Sequence, residues 1–94
     1  MLILPIKKKW FDMIVSGEKK EEYREIKPYY ESRFKKMFGI SGQIIFRNGY
    51  SKNSPEVVCK CTLRVGEGKT EWGAEPGKSY YVLQIQEVEK EDGD

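Results

Sequence analysis

A 94-residue chain with 38% hydrophobic and 34% charged residues reads as one domain with a single modest core, able to bury about 60–65% of the surface its unfolded state exposes. It has no histidine and only two cysteines, Cys59 and Cys61, which excludes Ser-His and Cys-His nucleophiles and HExxH metal sites and leaves any catalysis to Lys, Glu, Asp, Tyr, Ser or Thr. The net charge of +2 is uneven: residues 1–52 carry 12 Lys and Arg against 6 Asp and Glu (net +6), and residues 53–94 carry 5 against 9 (net −4), so the N-terminal half is the one suited to an anion.

Residues 2–6, LILPI, are apolar enough for a strand, with Pro5 marking an end or an edge. The apolar opening is too short for an export signal, its lysines follow it instead of preceding it, and no run of the chain suits a membrane span. The expectation is a cytoplasmic chain with two ordinary buried thiols and neither metal nor cofactor. KKKWFDMIVSG at 7–17 places Trp10, Phe11, Ile14 and Val15 at helical spacing, with Gly17 where a left-handed cap is wanted and Trp10 assigned to the core. The Lys7-Lys8-Lys9 run is either a solvated helix start or a phosphate contact.

KKEEYREI at 19–26 is extended and is ended by Lys27-Pro28, because the residue before proline leaves helical space. Pro28 then opens a second helix, in which Tyr30, Phe34, Met37 and Phe38 make one face, Arg33, Lys35 and Lys36 face water or a partner, and Gly39 is the stop. From Gly42 the period becomes two: GQIIFRNGY is a strand running into a turn at Asn48-Gly49, and VVCKCTLRV turns Val57, Cys59, Cys61, Leu63 and Val65 inward. GEGKTEWGAEPG is a glycine-rich hairpin connection that lacks a phosphate-loop pattern, and SYYVLQIQEV is a last strand with Tyr81, Leu83 and Ile85 on one face. Residues 1–88 are thus one α+β domain with a curled or closed sheet, and residues 89–94 an acidic tail expected to fray.

Glu22 and Arg24 share one face of the extended segment about 7 Å apart, with Tyr23 opposite, so Arg24 can grip Glu22 or bind a phosphate, and Lys19 would sit at the rim. The plain alternative is a solvated strand whose pairs are worth about 0–1 kcal/mol each. FRNGY at 46–50 combines a cation, an amide and two aromatics around one turn, a set that can stack a base and read its edge, although Phe46 leans to the core and Asn48-Gly49 is also an ordinary turn signal. Arg47 and Tyr50 stand evenly between site and structure, and Trp72 either caps the barrel end or walls a base pocket.

The stretch LPIKKKWFDMIVSGEKKEEYRE resembles the opening of an ASCH domain, a branch of the PUA-like superfamily whose signature is a helix followed by G-x-K-x-x-E-x-R; Gly17, Lys19, Glu22 and Arg24 fall in its register. FRNGY and EWGAEPGKSYYVLQI are similar to small bacterial and phage members, so the resemblance spans most of the chain. It implies a small PUA-like β-barrel with two short helices packed at its openings and a cleft beside the signature. It further implies a link to RNA, as a module that binds single-stranded RNA, a nucleoside or a nucleotide, or as an enzyme that cleaves RNA or deacylates N4-acetylcytidine.

The ligand-binding candidates are Lys19, Glu22, Arg24, Arg47, Asn48, Tyr50 and Trp72, with Lys19 and Glu22 as the catalytic pair if the protein is an enzyme. The deacylating branch resembles G-x-K-x-x-T-x-R, and Glu22 here stands at its threonine position; Glu71 and Glu75 are the loop candidates for its assisting glutamate. A free lysine is neutral at pH 7 in about one molecule in 2,500, and Glu22 opposes deprotonation while Arg24 favours it, so a protonated, binding Lys19 is expected. A protein-interaction module is the third class, and an exposed apolar patch would mark it.

Overall fold

The computed structural model describes residues 2–37 and 40–89. Among them, the chain runs β1 (Leu2–Ile6), α1 (Lys8–Ser16), β2 (Glu21–Arg24), α2 (Pro28–Phe34), β3 (Gly42–Asn48), β4 (Glu56–Glu67), a 3-10 turn (Thr70–Trp72) and β5 (Ser79–Glu89). The strands form one five-stranded mixed sheet in the order β1-β3-β4-β5-β2, curled into a half-barrel, so the α+β class read from the sequence holds. β3, β4 and β5 are a meander, β2 is antiparallel to β5, and β1 lies parallel to β3. No helix among the described residues is long and apolar enough to cross a membrane.

Each element follows from local chemistry. In α1, Phe11 and Ile14 are buried one turn apart, and Gly17, at φ 87°, ends the helix by donating its N–H to the Ile14 carbonyl at 3.1 Å. Pro28 opens α2 as expected, but the helix stops at Phe34, where the Met37 N–H reaches back to the Phe34 carbonyl at 2.8 Å and tightens the chain into a turn. The longer helix read from the apolar spacing is corrected to this extent; Phe38 and Gly39 lie outside the described residues, as do residues 90–94 of the expected tail. Arg33 does not simply face water: its guanidinium lies 3.5 Å from the centroid of the Tyr29 ring.

The main core fills the side of the sheet toward which Leu4, Phe11, Phe34, Ile44, Phe46 and Leu83 point. β4 buries Val57, Cys59, Cys61 and Leu63 in strict alternation, while Val65 continues the parity two residues past the core and stands 51% exposed. On β5 the expected face of Tyr81 and Leu83 is buried, and so is the opposite one, because the segment after the 3-10 turn covers Tyr80 and Val82 with Ala74. Burying an aliphatic side chain as fully as Leu83 contributes about 1.5–3 kcal/mol. As an edge strand, β1 tolerates Pro5, which has no N–H to offer a further neighbour.

Burial raises the Cys59 thiol from 9.0 to about 12, with the Glu89 charge adding, and raises Cys61 likewise, with Cys59 adding. Above pH 9 the unfolded chain therefore binds fewer protons than the folded one, and stability falls as pH rises toward 12. Urea midpoints are expected to drop between pH 8 and pH 10.5, and the drop should shrink in the Cys59→Ala, Cys61→Ala double variant. An unchanged pH slope in that variant would assign the alkaline loss to Tyr23, whose hydroxyl burial also lifts to about 12.

Candidate functional site

The segment that follows Gly17 is fastened at once: the Lys19 N–H donates to the Met13 carbonyl at 2.9 Å, and the Lys20 carbonyl accepts from Ile85 N–H at 2.9 Å. β2 then pairs Glu22 with Leu83 and Arg24 with Tyr81, so both charged side chains rise from one face of the strand. Glu22 is only 7% exposed and carries two partners, with Lys19 Nζ 3.2 Å from its Oε1 and Arg24 Nη2 donating to its Oε2 at 2.8 Å. Arg24 also donates through Nη2 to the Pro5 carbonyl at 3.0 Å and through Nη1 to the Tyr30 hydroxyl at 3.2 Å. Among the described residues, its buried Nε–H has no acceptor.

Lys19 is the surprise of the cluster. The sequence placed it at a rim, whereas its side chain is fully buried, because an element distant in the chain comes to cover it. The 3-10 turn ends at Gly73, whose φ of 101° suits glycine, and the turn aims the Trp72 carbonyl at Lys19 Nζ, 2.8 Å away. The rings of Trp10 and Tyr23 flank the ammonium, each with its centroid 5.0 Å from Nζ. Tyr23 is itself locked, donating its hydroxyl proton to Glu21 at 2.8 Å and accepting from the Lys69 N–H at 2.8 Å. Gly68 must lack a side chain beside it, since a Cβ there would lie 2.4 Å from the Tyr23 ring.

Burial pulls the Lys19 ammonium below its ordinary 10.5, the charge and hydrogen bond of Glu22 oppose that pull, and the Arg24 charge adds to it. Glu21, on the other face of β2, does not touch the cluster, though its charge also opposes the downward pull on Lys19. Burial would raise its carboxyl, but hydrogen bonds from Tyr23, Arg64 and Gln84 outweigh burial and hold it below its usual value.

Above this cluster opens a cleft of about 790 Å³, bounded by the end of β1, the start of α1, β2, the 48–50 turn and the 73–80 segment. Glu22, Arg24, Asn48 and Tyr50 line it, so four of the seven candidates meet there. Lys19 lies beneath and does not line it, and Trp72 contributes its backbone carbonyl to the cluster while its ring stacks near Lys69, 4.7 Å from Nζ to centroid. Arg47 is outside the cleft, forked onto Glu56 across the β3–β4 pair at 2.6 Å. Of the loop glutamates, Glu75 lines the cleft and Glu71 does not.

The tryptophan at the cleft is Trp10, which the spacing assigned to the core; it packs partly against the core and also forms a wall, because it stands in the first turn of α1 where the helix emerges beside β2. Tyr30 was likewise read as packing. It does stack on Phe34 at 5.6 Å, yet its hydroxyl reaches Arg24 and its ring lines the cleft. An aromatic in the turn next to the lysine run was the one available signal for Trp10; nothing in the sequence marked Tyr30.

Comparison of the chain with protein-family models, with curated proteins and with solved structures gives no match. What the cluster can do must come from its own charges. With both cations protonated, Lys19, Glu22 and Arg24 sum to +1 in a largely dehydrated setting, which favours an anionic or strongly polar acceptor above them.

Removing one member of a buried ion pair strands the other, at a cost of about 3–5 kcal/mol. Lys19→Met, which keeps the volume and deletes the charge, is expected to lose about that much by urea denaturation, and adding Glu22→Gln should return a substantial part of it. Strictly additive losses would show that the two side chains are not coupled.

Proposed function

We propose that this chain is a small ASCH-type, PUA-like module that binds single-stranded RNA or a nucleotide in the cleft over Glu22 and Arg24. The observation that carries this reading is the composition of that one cleft: the aromatic side chains of Trp10, Tyr30 and Tyr50 stand beside Lys7, Lys8 and Lys78, over a floor with an excess positive charge. Aromatic faces stack bases without regard to sequence, and cations track the phosphates. The G-x-K-x-x-E-x-R resemblance at Gly17, Lys19, Glu22 and Arg24 supports the same reading, as does the half-barrel, whose curl is the coarse form of the barrel that the resemblance implies.

In this arrangement Lys19 is a positioning residue. It holds Glu22, which in turn orients Arg24, and the free edges of Glu22 and Asn48 are available to a base amino or carbonyl group. The alternative is hydrolysis of N4-acetylcytidine or cleavage of RNA with Lys19 and Glu22 exchanging a proton. One observation favours it, the downward pull on the Lys19 ammonium. Against it, Lys19 Nζ is tied to the Trp72 carbonyl and to Glu22 and does not line the cleft.

Binding of a short single-stranded RNA, followed by fluorescence anisotropy, should weaken linearly with log salt at a slope of about −1.4 to −2.1, as two or three contacted phosphates require. Tyr50, 88% exposed, can be changed without disturbing the core, and Tyr50→Ala is expected to weaken binding about tenfold at an unchanged melting temperature. Affinity that ignores both salt and Tyr50 would refute the reading. Chromatographic detection of cytidine released from N4-acetylcytidine would replace it with the hydrolase.

A further inference from the structure

Beside the cleft lies a second groove of about 560 Å³. It shares Pro5, Arg24, Lys27, Tyr30 and Tyr50 with the cleft, so the two are continuous around a common wall. Leu4, Pro28 and Tyr29 complete it. The two hollows differ in charge. Among the described residues, Glu22, Glu25 and Glu75 line the cleft, whereas the groove is lined by two cations, Arg24 and Lys27, and by no carboxylate; the carboxylates that pair with these cations, Glu22 at 2.8 Å and Glu25 at 4.0 Å, stand on the cleft side.

The groove's aromatic surface is presented outward. Tyr29 is 53% exposed and Tyr50 is 88% exposed. One face of Tyr29 already carries the Arg33 guanidinium, 3.5 Å from the ring centroid, and Tyr30 meets the same ring edge-on at 4.9 Å. This bracing fixes the ring on the helix and leaves it little rotational freedom to lose when a flat group stacks on it. A volume of this size suits one small planar group with its attached sugar. Flat rings beside two cations whose carboxylate partners lie outside the groove fit a base and its phosphate better than an extended neutral peptide, which brings no anion to that wall.

We propose that this groove seats the base next to the one held in the cleft, so that the ligand is a single strand of at least two nucleotides and not a free mononucleotide. The inference rests on the reading of the cleft as a nucleotide site. Arg24 and Lys27, in the wall common to both hollows, would then face the phosphodiester that joins the two residues, and Tyr50 would stand between the two bases.

Isothermal titration of the full chain with adenosine 5′-monophosphate, with the 5′-phosphorylated adenosine dinucleotide, and with the same dinucleotide lacking its second base tests this directly. The dinucleotide is expected to bind about tenfold more tightly than the mononucleotide, and the abasic form to lose most of that gain. Tyr29→Ala, at an exposed position, should bring the dinucleotide-to-mononucleotide ratio close to one. Equal affinity for the dinucleotide and its abasic form, or a ratio that survives Tyr29→Ala, would overturn the proposal while leaving the cleft as a mononucleotide site. Failure of all three ligands to bind would overturn both. Saturable binding of a proline-rich peptide that Tyr29→Ala abolishes, with no advantage for the dinucleotide, would give the groove to a polyproline segment instead.

Discussion

A carboxylate gripped from both sides holds this molecule together at the point where it has most to lose. Glu22 stands between Lys19 at 3.2 Å and Arg24 at 2.8 Å, all three largely withdrawn from water. Taking such charges out of solvent costs several kcal/mol each, and their mutual attraction offsets that only if the remaining donors also find acceptors. Lys19 finds the Trp72 carbonyl and Arg24 finds the Pro5 carbonyl and the Tyr30 hydroxyl. Each of these acceptors belongs to a different part of the chain, so satisfying the charges fixes β1, β2, α2 and the 70–73 turn against one another.

The same bonds explain how an open sheet keeps its curl. With the order β1-β3-β4-β5-β2, the two edges are β1 and β2, which share no ladder. Arg24 spans them, from β2 to the Pro5 carbonyl of β1, at 3.0 Å. A proline on that edge has no N–H with which to recruit another strand, which leaves its carbonyl for the guanidinium and gives the edge little to offer a foreign strand at that position. The gap that the guanidinium bridges is the place where the cleft and the groove meet, so the contact that holds the curl also forms their common wall.

The division of labour between the two faces of β2 follows from strand geometry. Glu22 and Arg24 rise toward the cleft, while Glu21 and Tyr23 leave the strand from its opposite side, where Arg64 and Gln84 receive Glu21 and from which the Tyr23 ring still reaches the cleft wall. Tyr23 joins the two. Its hydroxyl belongs to the Glu21 network and its ring stands 5.0 Å from Lys19 Nζ, so the polar network on one face fixes a wall of the ammonium site. Gly68 and Gly73 are the spaces this requires, the first beside the Tyr23 ring and the second beside Trp10, where a Cβ would come within 3.1 Å of the ring.

The sequence by itself determined the elements and the neighbours within them. Period-two and period-3.6 spacing placed the strands and helices, Gly17 and Pro28 marked two boundaries, and the i, i+2 geometry of β2 put Glu22 and Arg24 together, because these are consequences of backbone dihedrals and act over a few residues. What only the tertiary structure decided is the environment of those residues. Trp72 lies 53 residues from Lys19 along the chain, and no local pattern tells that its carbonyl will cover an ammonium. Trp10 and Tyr30 carried the same ambiguity: an aromatic at helical spacing packs a core wherever it is enclosed and walls a cleft wherever the enclosure ends. Arg47, equally plausible as a ligand contact, was claimed by Glu56, which the β3–β4 register set opposite it. Burial and partnership are sums over distant segments, so the sequence could name the charged residues of the site and only the fold could say which of them face the ligand.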